Sequence, residues 1–175
     1  MHRALLAIVP LLFAVPAFAG PDFPGVGGYY VSFDDKTDAP RALIEIVEAP
    51  DGTLEGYARG SFVPGEDPRA TCERCKDELE GQPLLGMRIL RELRADDNPL
   101  KWKKGRITDP DNGQTYKSKV EFEPDYSSVK VRGYIGTPAL GRSQRWVRAT
   151  PDDIARINAT ADELGLERIP VMETN

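Results

Sequence analysis

Six polar or aromatic side chains near the end of the chain could hold a small ligand. They are Arg132, Tyr134, Arg142, Gln144, Trp146 and Arg148. Strict alternation along two apparent strands groups Arg132 with Tyr134, and Gln144 with Trp146 and Arg148. If this surface lines a barrel, its aromatic wall and guanidinium groups suit a carboxylate or phosphate head group. In the structural alternative, the arginines stack on Trp146 and tie the last strand to the first.

Cys72 and Cys75 are separated by two residues. In an oxidising compartment, two cysteines this close are most simply a disulfide that shapes a loop. The second interpretation is a redox-active pair. Such pairs usually lie at a helix N-terminus, where the helix dipole lowers the pKa of a thiol, whereas this pair lies in a polar stretch, 65–82. The third interpretation is that the pair forms half of a zinc site. The mature chain has neither a second cysteine pair nor a histidine that could supply the other ligands. We therefore predict a structural disulfide and no bound metal.

The first nineteen residues have the pattern of an export signal. A basic start, 1–3, precedes an apolar run, 4–18, and Ala17-Phe18-Ala19 is a small-x-small cleavage pattern. We expect cleavage before Gly20, a Pro/Gly-rich leader over 20–27, and a periplasmic or secreted protein with no remaining membrane span. The alternative is an uncleaved anchor helix, for which the run is short.

Charge excludes some partners of the mature chain. Removal of residues 1–19 takes away one base, Arg3, and no acid, which leaves 22 basic and 28 acidic residues and a net charge near −6. Nucleic acids and anionic membrane surfaces attract basic patches, so we expect neither as the main partner. The remaining 156 residues are enough for one domain with a single core.

No arrangement of residues predicts catalysis. The only histidine, His2, leaves with the predicted signal, and no Gly-x-Ser-x-Gly, P-loop or Gly-x-Gly-x-x-Gly motif occurs. Residues 109–113 could form a calcium loop, but they lack the spaced carboxylates of an EF-hand and favour a hairpin turn. Four carboxylates on or beside strands show no spacing that selects a catalytic pair: Glu45, Glu55, Glu92 and Asp109. We predict a non-enzyme without a cofactor.

Period-two alternation and frequent turn signals predict an all-β domain over 28–148, and closure into an up-and-down barrel would remove its sheet edges. In the fourth strand, Leu85, Met87, Ile89 and Leu93 are expected on one face. The eight predicted strands are 28–33, 43–47, 53–62, 84–93, 102–108, 115–123, 129–135 and 144–148.

A helix is predicted after the last strand, within a C-terminal segment of 149–175. Thr150 is a typical N-cap, Pro151 fits the first helical position, and Gly165 is placed to end the helix. Ile154 and Ile157 begin an apolar stripe along one side of it.

Four motifs follow one another in the chain. They are Cys72-x-x-Cys75 with Gly81-Gln82-Pro83-Leu84-Leu85-Gly86; Gly105-Arg106-Ile107-x-Asp109-Pro110-x-Asn112-Gly113-x-Thr115-Tyr116; Val131-Arg132-Gly133-Tyr134-Ile135-Gly136; and Gly141-Arg142-Ser143-Gln144-x-Trp146-x-Arg148. Together they resemble a family of small exported bacterial proteins, domain of unknown function 2147. The resemblance covers roughly 28–148 and implies a lipocalin-like barrel in the periplasm, without an established reaction or catalytic residues. Tyr29-Tyr30 stands where that family more often has tryptophan after its early glycine, and Tyr30 is also a candidate ligand contact.

These observations predict a non-catalytic periplasmic module that binds a small amphiphilic or anionic ligand. The alternative is a structural or interaction protein of the bacterial envelope whose barrel is filled by its own side chains. An open lumen of mixed polarity would favour binding, and a narrow, packed one would favour the alternative.

Overall fold

The computed structural model describes residues 25–170, in which eight antiparallel strands close into a barrel and one helix follows. The elements are β1 Gly28–Phe33, β2 Pro40–Glu48, β3 Thr53–Ser61, β4 Arg88–Ala95, β5 Lys101–Asp109, β6 Gln114–Phe122, β7 Ser128–Tyr134, β8 Gly141–Arg148 and α1 Pro151–Leu164. Each strand pairs with its neighbour in sequence, and β1 pairs with β8. The predicted signal peptide, the first part of the predicted leader and the end of the predicted tail lie outside the described residues.

The alternation of side chains explains why these strands form a barrel. In β6, Val120 and Phe122 are buried, whereas Lys119 and Glu121 are exposed. Successive residues of a strand point to opposite faces, so one set fills the interior and the other meets water. The predicted up-and-down barrel with a C-terminal helix is confirmed.

The fourth strand departs from its predicted pattern. It begins at Arg88, and its pairing with β3 shifts register twice. Glu92 has a φ of 61°, and Leu90 is fully buried although it has the opposite parity to Leu93, which is also fully buried. Met87, Ile89 and Leu93 are buried in the barrel core as predicted, but Leu90 is buried there as well, so these irregularities break the strict alternation predicted over 84–93.

The helix α1 covers the outer face of β1 and β2, so the fold has a second apolar core outside the barrel. Val31 and Leu43 of the strands cluster there with Ile154 and Ile157 of the helix. Gly60 of β3 gives the helix room, because a Cβ at this position would lie 2.6 Å from Cγ2 of Ile157.

The signals predicted for the ends of α1 are confirmed. The Thr150 hydroxyl oxygen accepts a hydrogen bond from the Asp153 backbone N–H at 3.2 Å, and the Asp153 carboxylate accepts one from the Thr150 backbone N–H at 2.9 Å. Gly165 ends the helix with a φ of 64°. Both ends therefore satisfy backbone groups that the helix itself leaves unpaired.

The long connection between β3 and β4 carries the predicted disulfide, Cys72–Cys75, which is formed and buried. This connection packs against the β5–β6 hairpin turn. The Arg74 guanidinium donates a hydrogen bond to the Asp111 carbonyl at 2.7 Å, and a Cβ on Gly113 would collide with the Arg74 carbonyl. The disulfide loop and the hairpin thus hold each other in place, and a turn occupies 109–113 as predicted.

We expect Gly113→Ala to destabilise the protein far more than Gly136→Ala. Both glycines have φ values near 69° and 68°, so alanine costs left-handed backbone strain at each, about 1–2 kcal/mol. Of the two, only Gly113 lies against another backbone segment, at Arg74. A Cβ there must displace that segment, which should raise the loss of unfolding free energy to about 3 kcal/mol or more. Denaturant unfolding of both variants measures the difference, and equal losses would contradict the packing of the disulfide loop on the hairpin.

Candidate ligand-binding cavity

One end of the barrel opens into a cavity of about 430 Å³. Four connections surround its entrance: β1–β2, β3–β4, β5–β6 and β7–β8. The volume falls within the range of sites for small molecules.

All eight strands contribute residues to the walls of the cavity, which are mainly apolar inside the lumen. Small residues contribute much of the space, since Ala58 and Gly133 face the lumen where larger side chains would fill it. The larger apolar wall residues are Ile44, Ile89, Ile107, Val131 and Trp146.

The opposite end of the barrel is filled by its own side chains. Tyr30 and Phe122 pack edge to face with ring centroids 6.1 Å apart, and Leu54 and Leu93 are fully buried in the same core. Trp102 is also buried there. The lumen is therefore packed at one end and open at the other.

Arg148 closes the packed end. Its guanidinium donates hydrogen bonds to the carbonyls of Tyr126, Gly27 and Gly25 at 3.0, 3.2 and 3.1 Å. It also donates to the Tyr30 hydroxyl at 3.0 Å and lies 4.9 Å from the centre of that ring. The structural alternative predicts that arginines stack on Trp146 and tie the last strand to the first. Arg148 does join β8 to the start of β1, but the aromatic ring that it contacts is that of Tyr30.

The inward face of β8 carries a chain of hydrogen bonds from the lumen to the entrance. Trp146 Nε1 donates to Gln144 Oε1 at 3.1 Å, and Gln144 Nε2 donates to Asp35 Oδ2 at 3.3 Å. The Arg142 guanidinium forms an ion pair with the same Asp35 carboxylate. Arg142, Gln144 and Trp146 line the cavity together, whereas Arg148, which the spacing grouped with Gln144 and Trp146, lies at the packed end.

Arg132 lies on the other side of the sheet. In β7 it pairs across from Ser143, whereas the inward Gly133 pairs across from Arg142. The Arg132 guanidinium donates to the Pro138 carbonyl at 2.7 Å and to the Ser143 hydroxyl at 2.8 Å, so it braces the β7–β8 connection. Tyr134 has the same parity as Arg132 and reaches only the rim of the cavity. The predicted constellation is thus divided between two faces and two ends of the barrel.

The entrance contains charged residues that sequence reasoning missed. Nη2 of Arg41 donates to both oxygens of the Asp111 carboxylate at 2.6 and 2.5 Å, and Nη1 approaches Asp34 at 3.8 Å. Hydrogen bonds from Thr37, then from Lys36, and the nearby Arg41 charge lower the pKa of the Asp34 carboxyl. The only available signal was the acidic character of the loops, which does not show which loops share one end of a barrel.

Within residues 25–170, no cluster of three or more histidine, cysteine or acidic residues has the geometry to hold a metal ion. No helix in the same range is long and apolar enough to cross a membrane.

The fold places the protein in the class of lipocalin-like barrels. It is similar to a solved structure described as protein HP1028 from the human pathogen Helicobacter pylori, which belongs to the lipocalin family. The TM-score is 0.62 at 17% sequence identity, and the match covers 83% of this chain and 92% of that one.

The chain belongs to the family described as uncharacterized protein conserved in bacteria, domain of unknown function 2147, which its residues 28–148 match. The resemblance inferred from the four motifs is therefore confirmed. Comparison with curated proteins gives no match.

We expect Arg148→Ala and Arg142→Ala to differ sharply in stability. Arg148 satisfies three carbonyls and a hydroxyl at the packed end, so its loss should cost about 3 kcal/mol and lower the melting temperature by several degrees. Arg142 is exposed and forms a surface ion pair, so its loss should cost less than about 1 kcal/mol. Thermal melts test this, and equal destabilisation would contradict the assignment of closure to Arg148.

Alkaline pH should destabilise the protein through two buried phenols. Burial raises the pKa of Tyr29 and Tyr30 to about 12 from 10.0, with the Glu45 charge adding to the effect at Tyr29. The unfolded chain loses these protons first, so the stability they contribute is complete below about pH 10 and is lost as the pH rises towards 12. Phenolate absorbance should show late titrations for Tyr29 and Tyr30, in addition to a raised pKa for Tyr57, and one late titration should disappear in Tyr30→Phe. If every tyrosine titrates near pH 10, the prediction that burial raises the pKa of Tyr29 and Tyr30 is contradicted.

Proposed function

We propose that this protein is a non-catalytic, exported binding protein for a small amphiphilic molecule. The observation that carries the proposal is the half-open barrel, whose cavity of about 430 Å³ has apolar walls and a polar entrance. An apolar lumen favours burial of a hydrocarbon body, and polar groups at the entrance can orient a head group that stays near water.

Two features support action outside the cytoplasm. The Cys72–Cys75 disulfide is typical of oxidising compartments such as the periplasm. Residues 1–19 have the pattern of an export signal, although they lie outside the described residues.

The packed end favours a second candidate function, a structural or interaction protein of the envelope. Two large apolar side chains on the β7–β8 connection, Ile135 and Leu140, are 70% and 80% exposed and could contact a protein partner. Both also line the cavity entrance, where they could equally contact the hydrocarbon part of a ligand.

Filling the cavity should abolish binding. We expect Ala58→Phe to weaken binding of decyl alcohol at least tenfold, because the new ring would occupy the lumen. Ala95→Phe is the matched control, since it adds the same bulk at an exposed position at the end of β4. Trp146 lies on the cavity wall, so a change in the intensity or wavelength of tryptophan fluorescence on binding provides a readout.

Thermal melts show whether each variant is folded, and Ala42→Leu is a smaller filling change if Ala58→Phe does not fold. Unchanged binding in a folded filled variant, or no binding by the wild type, would overturn the proposal and leave the structural role. Native mass spectrometry of protein isolated from the periplasm would identify a co-purifying ligand.

A further inference from the structure

We propose that the cavity selects amphiphiles whose head group carries a positive charge. This inference rests on the proposed binding function and specifies the class of ligand. The inference follows from the ion pairs at the entrance: the arginines there are paired with carboxylates, and further carboxylates have no cationic partner among the residues that the structure describes.

The two arginines that line the cavity are both neutralised by neighbouring carboxylates. Arg41 pairs with Asp111 and approaches Asp34, and Arg142 pairs with Asp35. An anionic head group would have to displace one of these carboxylates to gain a guanidinium partner. Neither arginine is therefore ready to receive an anion.

Three further carboxylates line the entrance without an ion-pair partner among the described residues: Glu66, Asp67 and Asp109. Asp67 accepts a hydrogen bond from the Arg69 backbone N–H at 2.8 Å, and Asp109 accepts one from the Asp111 backbone N–H at 3.0 Å. Glu66 contacts the Ser61 hydroxyl. These donors are uncharged, so the negative charge of each carboxylate persists.

The lining as a whole contains six carboxylates and two guanidinium groups, a net charge of −4. A third guanidinium, on Arg74, is near but is not part of the lining and donates to the Asp111 carbonyl. A cleft with one sign of charge above low-dielectric walls concentrates counter-ions. A cationic head group would therefore sit among these carboxylates while its hydrocarbon chain enters the lumen.

Three probes with the same ten-carbon chain test the selection: decyltrimethylammonium, decyl alcohol and decyl sulfate, each below its micelle concentration. We expect affinity to fall in that order, with the cation binding roughly tenfold or more tighter than the anion at low salt. Added salt should reduce the difference, because the charges at the entrance are exposed to solvent.

Charge variants locate the effect. The double change Glu66→Gln/Asp67→Asn should weaken binding of the cation several-fold and leave that of the alcohol unchanged. The matched control is Asp97→Asn/Glu123→Gln, which removes two exposed carboxylates from the connections at the packed end of the barrel. Arg142→Ala should strengthen binding of the cation, since it frees Asp35.

The outcomes separate this inference from the proposed function. If no probe binds to the folded wild-type protein, both are overturned. If all three bind equally, or the anion binds most tightly, only the selection of cations is overturned. An equal loss of cation affinity in the control double variant would also overturn it, because the charge at the entrance would then have no special role.

Discussion

The Arg148 guanidinium is the interaction on which the rest of the barrel depends. The ladder that joins β1 to β8 has only two residue pairs, Tyr30 with Arg148 and Val31 with Val147. Arg148 supplements this short ladder by binding carbonyls before β1 and in the β6–β7 turn. A carbonyl shielded from water is costly without a donor, and the carbonyls of Gly25, Gly27 and Tyr126 are partly buried, so one cation fixes three chain segments at one end. The opposite end is then free to carry an entrance.

The contrast between the two ends follows from side-chain size along the inward faces. Tyr30, Trp102 and Phe122 fill the end that Arg148 closes. Towards the entrance the inward positions include Ala58 and Gly133, which leave space rather than fill it. A barrel of eight strands has an interior just wide enough for its own side chains or for one small ligand. In this chain, side chains fill one end of the lumen, and the other end leaves a cavity of the size of a small ligand.

Sequence patterns predicted the local features well and the assembled ones poorly. Period-two alternation identified the strands, and Thr150 and Gly165 identified the ends of the helix, because both signals act between near neighbours. In β7 the alternation already set Arg132 opposite Val129 and Val131, which are buried, but the expectation of a lumen of mixed polarity placed the polar face inside the barrel. The contact between Asp35 and Gln144 joins residues 109 positions apart, and no local rule connects them.

The charge at the entrance follows from the chemistry of its turns. Asp34, Asp67 and Asp109 each accept backbone hydrogen bonds within their own connections, from the N–H groups of residues two or three positions later. Aspartate is favoured there because its side chain replaces a missing backbone partner. Since the three connections meet at one end of the barrel, their turn-forming carboxylates also meet there. Local turn stability and the negative field above the cavity are therefore produced by the same side chains.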